Sequence, residues 1–223
     1  ISERLTTRGG MAIWARTSTS ATAIVKTETE MQRPIIIVPG IVGTGPAAGN
    51  QRWWRERGTH PRNIVADPLL GVYNDISQTL TNLGYTHGRD MFVLPYDWRL
   101  PPFNDDGAAD GHVSGYSADS VSDEYFEAAV DYLGFYLKIA AENWKRERPD
   151  EPELDAVDIV AHSTGGLVTR AYLQSDAYGG SLTPYVMSNG DPGPAALPRV
   201  RNFVAVGVPH FGSAKSWNPL WNN

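Results

Sequence analysis

The sequence contains no cysteine among its 223 residues. This absence excludes disulfide bonds and thiolate metal ligands, but a cysteine-free chain suits either the cytosol or secretion, so the compartment stays open. No uninterrupted apolar run approaches the ~20 residues that a membrane-spanning helix needs, and no signal-peptide core is recognisable. Basic residues are outnumbered, with a formal net charge of -6. A nucleic-acid partner is therefore not expected, since it would need a basic face.

The remaining composition is that of an ordinary globular protein. Hydrophobic residues make up 41% of the chain and charged residues 20%, which is enough apolar material for a core. The length favours one main domain. We predict an N-terminal arm or exposed edge strands over residues 1–33 and the core over residues 34–223. The first residue is Ile1 rather than Met, which indicates a processed protein or a fragment. Composition does not indicate an oligomeric state.

Short apolar runs between chain breakers alternate with helical patterns. Strands enclosed on both faces have such continuous apolar runs. They are predicted at residues 35–38, 91–94, 156–161 and 202–206. Helices are predicted at residues 74–83, after a capping pattern at Ser120 and Asp123, and at residues 165–174. This alternation predicts an α/β fold with a mainly parallel sheet and helices on both faces.

One predicted strand ends at a serine that small residues flank. The run over residues 156–161 leads into His162-Ser163-Thr164-Gly165-Gly166, with Ala161 two positions before the serine. This pattern is typical of a nucleophile elbow, a strand-turn-helix that exposes a serine hydroxyl above an α/β sheet. The elbow brings the positions two before and two after the serine close together, so both must be small. In this interpretation the Thr164 N–H stabilises an oxyanion. The alternative is that Ser163 only caps a helix.

A second oxyanion donor is expected in the loop after an earlier strand. The segment Val38-Pro39-Gly40-Ile41-Val42-Gly43 follows the run over residues 35–38, and the Ile41 N–H is the best candidate. The alternative is a plain turn between a strand and a loop.

Four segments together carry a family resemblance. They are residues 35–43, residues 83–100 with Tyr96-Asp97-Trp98-Arg99, residues 161–166, and Gly207-Val208-Pro209-His210-Phe211-Gly212-Ser213. In this order they resemble the lecithin:cholesterol acyltransferase and lysosomal phospholipase A2 family over roughly residues 34–213. The resemblance implies an α/β-hydrolase fold and serine-dependent cleavage of lipid acyl esters, with acyl transfer to an alcohol in some members. It also implies that Ser163 is the nucleophile and that Ile41 and Thr164 are the oxyanion donors. No cofactor is expected.

Other side chains are candidates for the site or for structure. His162 is not expected to be the general base, because neighbouring residues of a strand-turn point apart. It is expected to line the substrate pocket or to bond locally. Trp53 and Trp54 are candidates for the substrate pocket, for a lid or for contact with a lipid surface, and ordinary packing is the alternative. Asp97 and Arg99 are expected to form a buried ion pair that ties a loop to the sheet, rather than to contact substrate.

The catalytic acid and base are not evident. After Ser163 the carboxylates are Asp176 and Asp191 and the one histidine is His210. Neither aspartate is predicted at a strand end, and the resemblance places the segment around His210 before the catalytic acid and histidine. We therefore expect an incomplete sheet that lacks its C-terminal strands, with the acid and histidine beyond Asn223. The alternatives are a domain completed by another polypeptide and a fold without catalysis.

The sequence thus predicts a serine hydrolase of lipid or other carboxylic esters that acts through an acyl-enzyme, with acyl transfer to an alcohol as an extension. The expected partners are a lipid or ester substrate and the surface of a lipid aggregate. The alternatives are a non-catalytic hydrolase-like binding domain and an esterase or lactonase for small soluble esters. No metal site is predicted, because the spacing of Asp105, Asp106 and Asp110 matches no calcium loop.

Overall fold

The computed structural model of the protein describes residues 4–6, 12–14, 32–66, 71–121 and 123–212. The chain divides into two compact units, residues 1–32 and residues 33–223. In the first unit, strands β1 (Arg4–Thr6) and β2 (Ala12–Trp14) pair antiparallel. The rest of the predicted N-terminal arm lies outside the described residues.

The described part of the second unit contains six strands and three α-helices. The strands are β3 (Ile35–Val38), β4 (Thr44–Pro46), β5 (Ile64–Ala66), β6 (Met91–Val93), β7 (Ala156–His162) and β8 (Arg199–Val206). The helices are α1 (Asn74–Asn82), α2 (Ala129–Glu147) and α3 (Gly165–Leu173), with 3-10 turns at Gln51–Trp54, Pro61–Asn63 and Ala118–Ser120. No helix in these described ranges is long and apolar enough to span a membrane.

The central sheet is parallel throughout and has the strand order β6-β3-β7-β8. Ile36 in β3 lies between Phe92 in β6 and Ile159 in β7, and all three side chains are buried. Helices flank the sheet, with α3 in contact with β3, β7 and β8 and packed against α2. Strands β4 and β5 form a separate antiparallel pair. The predicted α/β fold with a mainly parallel sheet is confirmed.

Helix α1 ends at a glycine. Gly84 adopts φ +96, a left-handed conformation that glycine reaches without steric strain. The Tyr85 N–H donates to the Leu80 carbonyl at 3.1 Å, and the Gly84 N–H donates to the Thr81 carbonyl at 3.0 Å. This Schellman pattern satisfies carbonyl groups that the helix end leaves without partners.

The predicted start of the long helix was wrong. The Ser120 side chain belongs to the 3-10 turn that Ser117 begins, and its hydroxyl donates to the Ser117 carbonyl at 2.6 Å. Helix α2 begins later, where the Asp131 carboxylate accepts the N–H groups of Glu127 and Ala128 at 2.7 and 2.8 Å. An acidic residue in the first turn also suits the positive end of the helix dipole. Apolar residues at helical spacing along α2 are buried, among them Val130, Leu133, Leu137 and Trp144.

Two segments rich in Gly and Pro that lie outside the long helices and the sheet also supply the core. Val113 and Tyr116 before α2, and Ala177 and Leu197 before β8, are buried within the same hydrophobic cluster as the sheet. The burial of these residues could not be predicted from the sequence, because they are isolated among Gly, Pro and Asp and show neither the helix nor the strand period.

Candidate active site

Ser163 lies in the turn between β7 and α3 and adopts φ +53. This left-handed conformation is uncommon for a residue with a Cβ atom and is unfavourable by about 1–3 kcal/mol. The Ser163 N–H donates to the carbonyl of Val206 at the end of β8 (2.9 Å), and the Ser163 carbonyl accepts the Gly166 N–H (3.1 Å). The neighbouring strand and the first helical turn therefore hold the serine in this conformation.

Close backbone contacts explain the small residues after the serine. A Cβ atom at Gly165 would lie 2.3 Å from the carbonyl oxygen of Val38 and 2.5 Å from that of Pro39. A Cβ atom at Gly166 would lie 2.2 Å from the side chain of Val208. The elbow pattern predicts this steric requirement, because α3 must start directly against the loop that follows β3.

The loop after β3 turns back beside the serine. The Gly43 N–H donates to the Gly40 carbonyl at 3.0 Å, which closes a tight turn over Gly40–Gly43. A Cβ atom at Gly40 would lie 2.8 Å from the Ser163 Cβ. Val42 adopts φ +63, where glycine is usual and a β-branched residue is strained. The turn is therefore both strained and in contact with the serine.

Two backbone N–H groups at this junction have no partner within the part of the chain that the structure describes. Neither the Ile41 N–H nor the Thr164 N–H donates a hydrogen bond to a described residue. Ile41 is 57% exposed at the tip of the turn, and Thr164 precedes the first residue of α3. The N-terminal end of a helix carries a partial positive charge, so this position favours an anion. The arrangement is chemically able to stabilise an oxyanion, and the roles of the two N–H groups stay predictions.

His162 bonds locally. Its Nδ1 lies 3.0 Å from the hydroxyl of Tyr73, and the two rings meet edge to face. Among the described residues, no hydrogen bond joins a histidine to the Ser163 hydroxyl.

The predicted ion pair between Asp97 and Arg99 is confirmed. Arg99 Nε and Nη2 donate to the two Asp97 carboxylate oxygens, each at 2.6 Å, and Asp97 is fully buried. Arg99 also donates to the carbonyls of Trp53 and Glu56 and stacks on the Trp53 ring, with its guanidinium carbon 3.7 Å from the ring centroid. The ion pair therefore ties the segment around Trp53 to the loop that follows β6.

The two tryptophans therefore lie in different environments. Trp53 is buried beneath Arg99, whereas Trp54 is 75% exposed. Arg52 and Arg55 flank the pair Trp53-Trp54 in the sequence, are exposed, and form no ion pair with any residue the structure describes. A role of either tryptophan in a substrate pocket stays a prediction.

The polar residues after Ser163 pair elsewhere. Asp176 lies 3.2 Å from His112 Nε2 beyond the far end of α3, a helix about 13 Å long at its usual rise. Asp191 accepts from the Asn189 side chain, and His210 Nδ1 lies 3.3 Å from Arg170 Nη1. In this structure none of the three contacts the serine hydroxyl, in line with the prediction that they are not its acid and base.

The acidic loop residues have local roles. The Asp105, Asp106 and Asp110 carboxylates each accept backbone N–H groups of their own loop, at 2.9 Å. The N–H groups of Ser114 and Ala108 lower the pKa of Asp106 below its ordinary value. Within the described part of the chain, no group of three histidine or acidic residues could hold a metal ion.

Tyr73 is the residue at this junction that the sequence did not indicate. It directly precedes α1, is buried, and contacts both the turn after β3 and His162. No pattern pointed to it, because it is 33 residues from Gly40 and 89 residues from His162.

A profile of the lecithin:cholesterol acyltransferase family matches residues 62–109. The matched segment contains β5, α1, β6 and the Tyr96–Arg99 block, and Ser163 lies outside it. No curated protein and no solved structure matches the chain. The parallel sheet gives the chain an α/β fold, and its residues 62–109 are similar to the lecithin:cholesterol acyltransferase family, whose fold is that of the α/β-hydrolases.

Proposed function

We propose that the protein cleaves lipid or other carboxylic esters through an acyl-enzyme on Ser163, with transfer of the acyl group to water or to an alcohol. The family match supports esterase- or acyltransferase-type chemistry on lipids. The observation that carries the proposal is the strained serine at the carboxyl end of β7, beside a turn whose Ile41 N–H donates to none of the described residues. Strain of this kind clusters at functional sites, because a fold maintains it only where surrounding contacts enforce it.

In the proposed reaction, Ser163 Oγ attacks the ester carbonyl carbon and gives its proton to a general base. The carbonyl oxygen becomes an oxyanion that accepts from the N–H groups of Ile41 and Thr164. Collapse of this intermediate breaks the bond to the alcohol, which leaves with the proton from the base. Water or a second alcohol then attacks the acyl-serine in the same way and releases the acid or a new ester.

The general base is a histidine still to be identified. His162 shares its Nδ1 with Tyr73, and His210 and His112 pair with Arg170 and Asp176. Serine hydrolases without a base retain only a small part of their rate enhancement. The proposal must therefore be tested on the natural full-length protein, so that the general base is present in the sample.

A serine-directed phosphonate should label the protein, and peptide mapping should find the adduct on Ser163. The phosphonate mimics the tetrahedral intermediate, so labelling requires both an activated serine and an oxyanion site. The Ser163→Ala protein serves as the unlabelled control. An adduct on another residue, or an active sample that does not react, would rule out the proposed nucleophile. A sample that neither reacts nor hydrolyses esters would favour the non-catalytic binding domain.

The choice between lipid and small soluble esters is settled by one ester series measured below and above its micelle point. A lipid-specific enzyme turns over faster once an aggregate surface exists, whereas an esterase or lactonase follows monomer concentration.

Contact with a lipid surface is the second part of the proposal. Trp54 is exposed beside Arg52 and Arg55 although the chain as a whole is acidic. Tryptophan suits the boundary between water and lipid, and exposed cations add attraction to anionic headgroups. We assign this segment to a surface that contacts anionic lipid.

The charge on this surface gives a measurable prediction. Each cation near an anionic surface contributes about 1 kcal/mol, so Arg52→Gln with Arg55→Gln should weaken vesicle binding roughly 30-fold. The loss should occur on phosphatidylcholine vesicles that contain phosphatidylglycerol and not on pure phosphatidylcholine, measured by co-sedimentation. Trp54→Ala should weaken binding to both. The matched control replaces Arg146 and Arg148, at the end of α2, by glutamine. Equal losses in the control would show that net charge alone is responsible.

A further inference from the structure

The hydroxyl of Tyr73 connects two strand ends. The Gly40 N–H donates to it at 3.0 Å, and it lies 3.0 Å from His162 Nδ1. Gly40 follows β3 and His162 ends β7, and these strands are neighbours in the sheet. Tyr73 enters this junction from the segment before α1 and is itself buried. The segment before α1 therefore joins the turn over Gly40–Gly43 to His162, the residue before the proposed nucleophile.

The peptide unit between Pro39 and Gly40 is held at both of its polar ends. Tyr73 accepts its N–H, and the Tyr96 hydroxyl donates to its carbonyl at 2.8 Å. Burial raises the pKa of Tyr96, so that hydroxyl stays protonated and able to donate. A planar peptide with both ends bonded has little freedom to rotate.

The next peptide unit inherits this orientation. Its carbonyl, on Gly40, accepts the Gly43 N–H at 3.0 Å, and its N–H belongs to Ile41. Because the N–H of a trans peptide points opposite to its carbonyl, the direction of the Ile41 N–H is set by these bonds. Without the Tyr73 hydroxyl, the buried Gly40 N–H would lose its partner and the turn would gain freedom to rotate. An unpartnered buried donor is unfavourable, so the loop would be driven to find another conformation.

We propose that Tyr73 is a positioning residue that fixes the direction of the Ile41 N–H and holds His162 by donating to its Nδ1. This inference rests on the proposed function. In this proposal the phenol donates its proton to Nδ1 while its oxygen accepts from Gly40, an arrangement that requires His162 to carry its own ring proton on Nε2. Tyr73 itself does not contact the reacting atoms; it acts through the turn and through the histidine.

The Tyr73→Phe variant tests this role because it removes only the hydroxyl. Since a missing oxyanion donor lowers kcat about 100-fold to 1000-fold, we expect a misdirected one to lower kcat roughly 10-fold to 100-fold with KM unchanged. The matched control is Tyr132→Phe, which removes another buried hydroxyl that donates to a backbone carbonyl, that of Thr59, at 2.6 Å. The control is expected to keep the wild-type kcat. A rise in KM at constant kcat in Tyr73→Phe, or a kcat equal to that of the control, would overturn the assignment.

Two readouts do not depend on turnover. Amide hydrogen exchange at Gly40 should be faster in Tyr73→Phe and unchanged in Tyr132→Phe. In ¹⁵N spectra of the wild type, His162 Nδ1 should show the shift of an unprotonated nitrogen, and this shift should change in Tyr73→Phe. A protonated Nδ1 in the neutral ring, or Gly40 exchange that ignores the substitution, would overturn the proposal even in an active enzyme. If the phenylalanine variant does not fold, 3-fluorotyrosine at position 73 keeps the hydroxyl and should keep Gly40 protection and kcat. Failure of Ser163 labelling in the wild type would instead reject the proposed function and leave these two readouts standing.

Discussion

Replacement of Ser163 by alanine is expected to lower ester turnover by about a millionfold, the size of loss found when the serine of a catalytic triad is removed. The reason is that the acyl-enzyme can no longer form and only the oxyanion site and substrate binding remain. The measurement is the initial rate on one ester substrate, with the unfolding curve of each variant as a check on folding. Ser188→Ala, at an exposed serine in the loop before β8, is the matched control and should keep the wild-type rate.

The same position should separate activity from stability. Glycine adopts the φ of +53 seen at Ser163 without the steric penalty, whereas alanine retains it. The free energy of unfolding of Ser163→Gly should therefore exceed that of Ser163→Ala by about 1 kcal/mol, with both variants inactive. A more stable alanine variant would contradict the strained elbow, and wild-type turnover in either variant would contradict the nucleophile.

The parts of the site that the sequence predicts are those whose chemistry is local. A short apolar run between breakers favours a strand inside a sheet, and residues 35–38 form such a strand with every residue buried. The run over residues 202–206 also forms a strand, but most of its residues are exposed, so the prediction that both its faces are enclosed was wrong. The small Gly165 is required because carbonyl groups approach within 2.5 Å of its missing side chain. Strand, turn and helix follow each other between Ala156 and Leu173, so one stretch of sequence carries the whole pattern.

The parts that the sequence did not predict depend on distant contacts. Tyr73 meets Gly40 and His162 because the fold brings the segment before α1 to the carboxyl ends of the neighbouring strands β3 and β7. Val42 adopts φ +63 against its own preference, so local propensity predicts the opposite conformation. The turn after β3 enforces this conformation, and only the folded chain reveals it.

The start of α2 and the different burial of the two adjacent tryptophans also depend on packing rather than on residue type. Ser120 fits a helix cap by spacing, yet it completes a separate 3-10 turn, and α2 begins nine residues later. Trp53 and Trp54 are the same residue type at adjacent positions, so the sequence does not distinguish them. In the structure Arg99 stacks on the buried Trp53, whereas Trp54 is exposed. In both cases the chemistry of a single residue allows either outcome, and packing against a distant partner decides it.

Removal of the Asp97 carboxylate is expected to produce the largest loss of stability. Asp97 is fully buried and binds Arg99 through both oxygens, and it also accepts the Gly58 N–H at 3.2 Å. Asp97→Ala leaves a guanidinium that is nearly buried without its counter-charge, a change that lowers the free energy of unfolding by about 3–5 kcal/mol. The measurement is urea unfolding, in which the midpoint should fall while the dependence of the unfolding free energy on urea concentration stays the same.

Two variants distinguish a lost buried ion pair from a general effect of mutation. Arg99→Lys keeps the charge, but an ammonium cannot bond two carboxylate oxygens and two carbonyls in the fixed fork of a guanidinium. Its loss should therefore lie between those of the wild type and Asp97→Ala. The matched control is Asp123→Ala, which breaks an ion pair with Lys138 at a largely exposed carboxylate. Because solvent already screens that pair, its removal should change the free energy of unfolding by less than about 1 kcal/mol. Equal losses at Asp97 and Asp123 would contradict the argument, since burial is the property in which the two carboxylates differ.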